Sequence, residues 1–259
     1  MAGEEELKNK ALKVLNDEYA RKINFHLGGL HISGDGLGDV AGAISRGDIK
    51  LIEDPKLPKG IEGRYDPKTD TMSFPKANFG DENFDAFFVH EAVHALIDMM
   101  KATQTRRLAD ESAAFLAAAI YLYHRVGDVR FQHEVKRLLS GNQNEQEAGR
   151  IYRVCLKLIE RFGLTKLTKQ RISVWLQPPL YQPLLEAVKG AGAYKEIPWN
   201  QPTYADGIKA RSPISARPTG GCSVSRVAAF RKAGPVGMTD SQELLTGHSS
   251  KKPGPTGVA

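Results

Sequence analysis

The chain has 259 residues, 41% hydrophobic and 25% charged, which suits one or two ordinary globular domains with a core that needs no staples. Two cysteines, Cys155 and Cys222, exclude a disulfide framework and any C-x-x-C zinc or redox motif. The longest uncharged apolar stretch, Ser112 to His124, falls short of the roughly 18 residues that a membrane-spanning helix needs. The net charge of +6 is local: residues 198–259 carry eight basic and three acidic side chains, so +5 belongs to them and +1 to residues 1–197.

In chain order, MAGEEELKNK is acidic and polar where a secretory signal would be basic and then apolar. A cytoplasmic protein, or one exported by a signal-peptide-independent route, is therefore expected. Glu4 to about Arg21 reads as an amphipathic helix, with Leu7, Ala11, Val14, Leu15 and Tyr19 on one stripe. Lys22 to His31 reads as a strand, and the glycine-rich text that follows, GGLHISGDGLGDVAG, as a flexible loop. Its Gly36-Leu37-Gly38-Asp39-Val40-Ala41 satisfies a relaxed dinucleotide fingerprint, but the long helix such a site needs is not expected there. His26 and His31 lack carboxylates at fitting spacing and read as strand and loop residues.

Asp48 to Asp54 alternates as a strand does, and Arg64 to Phe74 reads as a hairpin turning at Pro67. Four helices are expected next, over about 82–102, 106–126, 143–162 and 166–176, the last broken by Pro178 and Pro179. A short helix around Leu184 to Val188 follows. Strands first and helices after predict an α+β domain over 1–197, with a small mixed sheet and a mainly helical C-terminal half. Residues 198–259 hold seven of the 14 prolines and no sustained apolar period, so they read as a basic, disordered tail. The near-neutral domain argues against a nucleic-acid-binding surface, and leaves the tail as the part suited to nucleic acid or another acidic partner. Oligomeric state is not legible.

The most informative residues are Phe87 to Leu96, FFVHEAVHAL, which contain the H-E-x-x-H string His90-Glu91-Ala92-Val93-His94. Four residues apart on a helix, the two imidazoles stand one turn above each other and can supply two legs of a tetrahedral zinc site. Glu91 lies about 100° round the helix, where it cannot readily join them but can reach a water on the metal and take its proton. The flanks are uncharged, so two histidines and a glutamate are buried in an apolar helix, a costly arrangement that a metal relieves.

A third protein ligand is required. A third histidine six residues beyond His94 is excluded, because position 100 is Met. Sixteen residues lie between His94 and Glu111, enough to finish one helix, turn and bring a second back. Ser112, Ala113, Ala114, Ala117, Ala118 and Ala119 then allow close helix approach. Glu111 is the expected ligand; Asp110 is its rival, or orients a histidine, and both acids also suit a helix N-terminus.

VHEAVHAL followed by DESAAFLA resembles the gluzincin branch of the zincin metallopeptidases, the thermolysin-like H-E-x-x-H…E class, over about residues 60–125. The resemblance implies a zincin-like fold and one zinc ion (Zn2+) per chain held by His90, His94 and Glu111, with Glu91 as general base and acid. It also implies that Thr71 to Phe74, just before the active-site helix, is the edge strand on which a peptide or protein substrate lies. The expected function is zinc-dependent hydrolysis of peptide bonds. The alternative is a zinc-containing regulatory module that binds peptide or nucleic acid without cleaving it. The downstream His or Tyr with which thermolysin-like enzymes steady the oxyanion has no clear counterpart. His133, Tyr152 and Tyr181 are the weak candidates, and His124 lies too far along its helix, about 20 Å from Glu111.

Overall fold

The computed structural model describes residues 2–57, 61–75, 82–164, 173–192, 202, 207 and 208, all within the unit Met1–Ile214. The unit Ser215–Ala259, and with it nearly all of the expected tail, lies outside the described residues.

Leu7, Ala11, Val14 and Leu15 recur at helical spacing and are all buried on the first helix, α1 (Ala2–Asn16). It ends earlier than the pattern predicts. Asp17 Oδ1 accepts the N–H groups of Tyr19 and Ala20 at 2.9 and 2.8 Å, and this local carboxylate opens a 3₁₀ turn, Ala20–Lys22, instead of another α-helical turn. The single strand expected over 22–31 is a hairpin, β1 (Asn24–Leu27) and β2 (Leu30–Ser33), because Gly28 and Gly29 both take positive φ and reverse the chain.

The glycine-rich text is a helix, α2 (Gly34–Arg46), and not the expected loop. Ser33 caps it, accepting the Gly36 N–H at 3.1 Å, and Gly47 at φ 80° closes it. Leu37, Val40, Ala41 and Ile44 form its buried stripe. Glycine is needed at position 34 for a packing reason: a Cβ there would stand 2.5 Å from the Arg21 Cα.

Next come β3 (Lys50–Glu53), β4 (Arg64–Asp66) and β5 (Thr71–Phe74). They form one sheet in the order β3-β5-β4, with β3 parallel and β4 antiparallel to β5. Thr71–Phe74 is thus the central strand, paired on both sides, and cannot be the edge that the sequence assigned to it. Among the described residues the edges of this sheet are β3 and β4, and β4 is the one that meets the helix that follows. β5 leads into α3 (Glu82–Met99), and Arg106 gives way to α4 (Arg107–Val126). These two helices make the most extensive helix contact of the fold, and Ala113, Ala114, Ala117 and Ala118 are fully buried within it.

The C-terminal half is helical, with α5 (Asp128–Leu139), α6 (Gln143–Phe162) and α7 (Pro178–Lys189). α5 is an element the sequence reading lacks. α6 starts on a capping box, Asn142 with Glu145. Of the helix expected over 166–176, residues 165–172 lie outside the described residues and Val174–Leu176 is instead a strand, β6, parallel to β1. Pro178 and Pro179 open α7 and break nothing: in the first turn of a helix the missing N–H is no loss. The first sheet therefore runs β2-β1-β6. The architecture is mixed α+β with two three-stranded sheets. Among the described residues, no helix is long and apolar enough to cross a membrane.

Of the segment beyond 198, Pro202 bridges to Arg106, the Gly207 N–H donates to Asp98 at 2.9 Å, and Ile208 packs against the core.

A candidate metal centre between two helices

α3 carries His90, Glu91 and His94, all on its well-buried middle turns, and α4 presents Asp110 and Glu111 in its first turns. The imidazoles of His90 and His94 stand one turn apart, centroids 4.9 Å, and both turn Nε2 toward the same carboxylate oxygen. Glu111 Oε2 lies 3.5 Å from His90 Nε2 and 3.7 Å from His94 Nε2. One ligand atom from each of the three residues falls within 4.8 Å of the others, so His90, His94 and Glu111 form a buried group that could hold a metal ion.

The donor set fits a cation by two further observations. Glu111 Oε2 is buried with no hydrogen-bond partner among the described residues, an arrangement that is costly for a carboxylate oxygen unless a cation meets it. His94 Nδ1 lies 2.7 Å from Asp110 Oδ1. A histidine that donates Nδ1–H to a carboxylate has its Nε2 lone pair aimed at Glu111, which is the tautomer a metal requires. Of the two acids, Glu111 stands with the histidine Nε2 atoms, while Asp110 lies against His94 Nδ1. Phe115, one turn beyond Glu111, packs edge-on against His90 with centroids 4.7 Å apart and confines that ring.

Burial and neighbouring charges push the titratable groups of the site in different directions. Burial opposes a charged His94, but Asp110 and then Glu111 outweigh it and raise this imidazole to about 10. Burial likewise pushes against an ionised Glu111, and the neighbouring His94 and His90 overcome it and hold the carboxyl below its ordinary range. Glu91 goes the other way. Burial raises its carboxyl above the ordinary range despite the pull of both histidines. A carboxyl raised in this manner sits closer to the pH at which a general base works best.

Glu91 does not join the ligand group. Its Oε2 accepts the backbone N–H of Tyr65 on β4 at 2.7 Å. Strand, glutamate and histidine pair therefore share one wall. No side-chain signal marks this contact, because its donor is backbone.

The other residues singled out by sequence lie elsewhere. His26 and His31 are opposite one another across the β1–β2 hairpin with their rings stacked at 4.2 Å, and Trp175 stacks on His26 at 3.8 Å. They form an aromatic row and, among the described residues, belong to no group that could hold a metal. Tyr152 reaches His90 only through the Phe115 ring, at 6.4 Å from it. His133 lines a cavity of about 540 Å³ with Leu122, Val126 and Arg130. The Tyr181 hydroxyl sits by Gly28 in the β1–β2 turn. His124 is held down to about 4, first by burial and then by Lys22. Cys155 is buried, and burial raises its thiol well beyond reactivity. Cys222 lies outside the described residues.

Comparison of the chain with protein-family models, with curated proteins and with solved structures gave no match.

Proposed function

We propose that the chain is a zinc-dependent peptidase of the gluzincin kind. The observation that carries this reading is the buried Glu111 Oε2, without a hydrogen-bond partner among the described residues, set between two Nε2 atoms, with a glutamate of raised pKa one residue away from the first histidine. His90, His94 and Glu111 are the residues that would hold zinc. Two imidazoles and a carboxylate are the set used where a catalytic zinc keeps an open position. When bound there, zinc supplies a Lewis acid for a carbonyl and lowers the pKa of water.

The chain's own residues supply the remainder. Asp110 keeps the Nδ1 proton on His94, and so keeps Nε2 free. Glu91 takes a proton from the attacking water and delivers it to the departing amine, a role for which its raised pKa prepares it. The Tyr65 N–H aims the carboxylate.

The test is Glu91→Gln in the zinc-loaded full chain, assayed on fluorescein-labelled casein. The variant keeps one zinc per chain and loses about 10²–10⁴-fold in rate, the usual worth of a positioned acid–base group. A chain that holds zinc, binds peptide and cleaves nothing would instead be the non-catalytic regulatory module.

A further inference from the structure

Glu91 is aimed by β4, and β4 is itself anchored from an unexpected quarter. Tyr65 donates its backbone N–H to Glu91 Oε2 at 2.7 Å. Its side chain points away into the protein, where the hydroxyl donates to Asp98 Oδ2 at 2.8 Å, with Asp70 Oδ1 at 3.4 Å. Asp98 follows Glu91 by seven residues, two turns along the same face of α3. One tyrosine thus spans the helix surface between the two acids, its N–H on one and its O–H on the other. All three side chains are buried.

Asp98 does not stand alone. Its second oxygen, Oδ1, accepts the backbone N–H of Gly207 at 2.9 Å. Position 207 requires glycine: its φ is +86°, and a Cβ would fall 2.5 Å from Lys101 Cε. The Pro202 bridge to Arg106 fixes the same stretch of chain to the loop between α3 and α4. On the other side of Glu91, a Cβ at Gly63 would stand 2.9 Å from its Cγ and 3.0 Å from the Phe74 ring, so the backbone approaches the glutamate as closely as glycine allows. Burial, then Asp98 and Asp70, push the Tyr65 phenol above its ordinary range, and it remains a donor wherever the fold persists.

We infer that Tyr65, Asp98 and Gly207 form a positioning relay for Glu91, through which the chain around residue 207 sets the aim of the general base. This rests on the peptidase reading for its catalytic consequence, but not for its geometry. None of the three belongs to the ligand cluster, so they are positioning residues: they fix the lateral position of β4 against α3, and with it the direction of the Tyr65 N–H.

The experiment uses Tyr65→Phe in the full chain, with Gly207→Val perturbing the same Asp98 from the other side should the first variant fail to fold. Three quantities are read: exchange of the position-65 amide by NMR, zinc per chain, and kcat and KM for a quenched fluorogenic peptide taken from a casein cleavage site. Expected are a tenfold or greater acceleration of exchange at that amide, one zinc per chain retained, and a tenfold lower kcat per bound zinc with KM within twofold. Unchanged exchange at position 65, or unchanged kcat per bound zinc with only a lower Tm, overturns the inference. A parent chain that cleaves nothing overturns the peptidase reading alone, and the exchange measurement still decides the relay.

Discussion

In the proposed reading, a zinc ion taken up by His90, His94 and Glu111 displaces a proton from His94. Burial opposes the imidazolium, yet Asp110 at 2.7 Å and then Glu111 at 3.7 Å raise it to about 10. At pH 7.5 nearly every molecule carries that proton, and a cation that needs the Nε2 lone pair must release it. Apparent affinity therefore climbs about tenfold, or about 1.4 kcal/mol, for each pH unit from this group between about pH 7 and 9. Asp110→Asn removes the foremost upward influence, and His94 then falls toward or below its ordinary value. The assay is calorimetric titration of zinc in two buffers of one pH and different ionisation enthalpies, which counts protons released. The parent chain releases about one proton more per zinc than the variant at pH 7.5. The variant loses about 10–100-fold in affinity at pH 9, the usual cost of removing a carboxylate behind a histidine ligand. At pH 6.5 that loss shrinks by about a hundredfold and vanishes or reverses, because proton competition then weakens the parent far more than the variant. Equal proton release, or an affinity ratio that does not vary with pH, refutes this reasoning.

Further outcomes follow from the same contacts. Gly63→Ala drives a methyl against Glu91 and the Phe74 ring and destabilises by about 1–3 kcal/mol in urea unfolding, with zinc content unchanged. Phe88 is fully buried and packs its ring on Phe74 and Phe84 at 4.4 and 5.1 Å, so Phe88→Ala lowers stability by about 3–5 kcal/mol in the same assay. His124 is neutral in the fold down to about pH 4, whereas the unfolded chain protonates it near 6.5. Stability is therefore lost as pH falls from 6.5 to 4, by at most about 2 kcal/mol after allowing for partial exposure, and His124→Gln flattens that part of the Tm-versus-pH curve.

The candidate site was legible because its signals are short-range. The fourfold spacing of His90 and His94 is a property of one helix, and Glu111 was reachable by a turn and a run of alanines that permit close packing. The Asp110–His94 bond was open in sequence, since adjacent acids at the start of a helix look alike until the second helix is placed. What sequence missed is non-local or backbone-borne. β6 pairs with β1 across some 150 residues, and three residues, Val174 to Leu176, carry no period strong enough to show it. The central place of Thr71–Phe74 depends on β3 returning alongside, which the hairpin alone does not encode. α2 was hidden by its glycines, although Ser33 followed by Asp35 carried a legible helix-start signal. The hold of Tyr65 on Glu91 has no residue-type signature at all, because the donor is a main-chain N–H.

The central claim is most directly tested by metal stoichiometry: native mass spectrometry of the purified full chain after exposure to zinc and removal of loosely held ions. The account predicts one zinc per chain in the parent and in Glu91→Gln, and none in His94→Ala or Glu111→Ala. One zinc per chain retained in His94→Ala, or none in the parent, would contradict it.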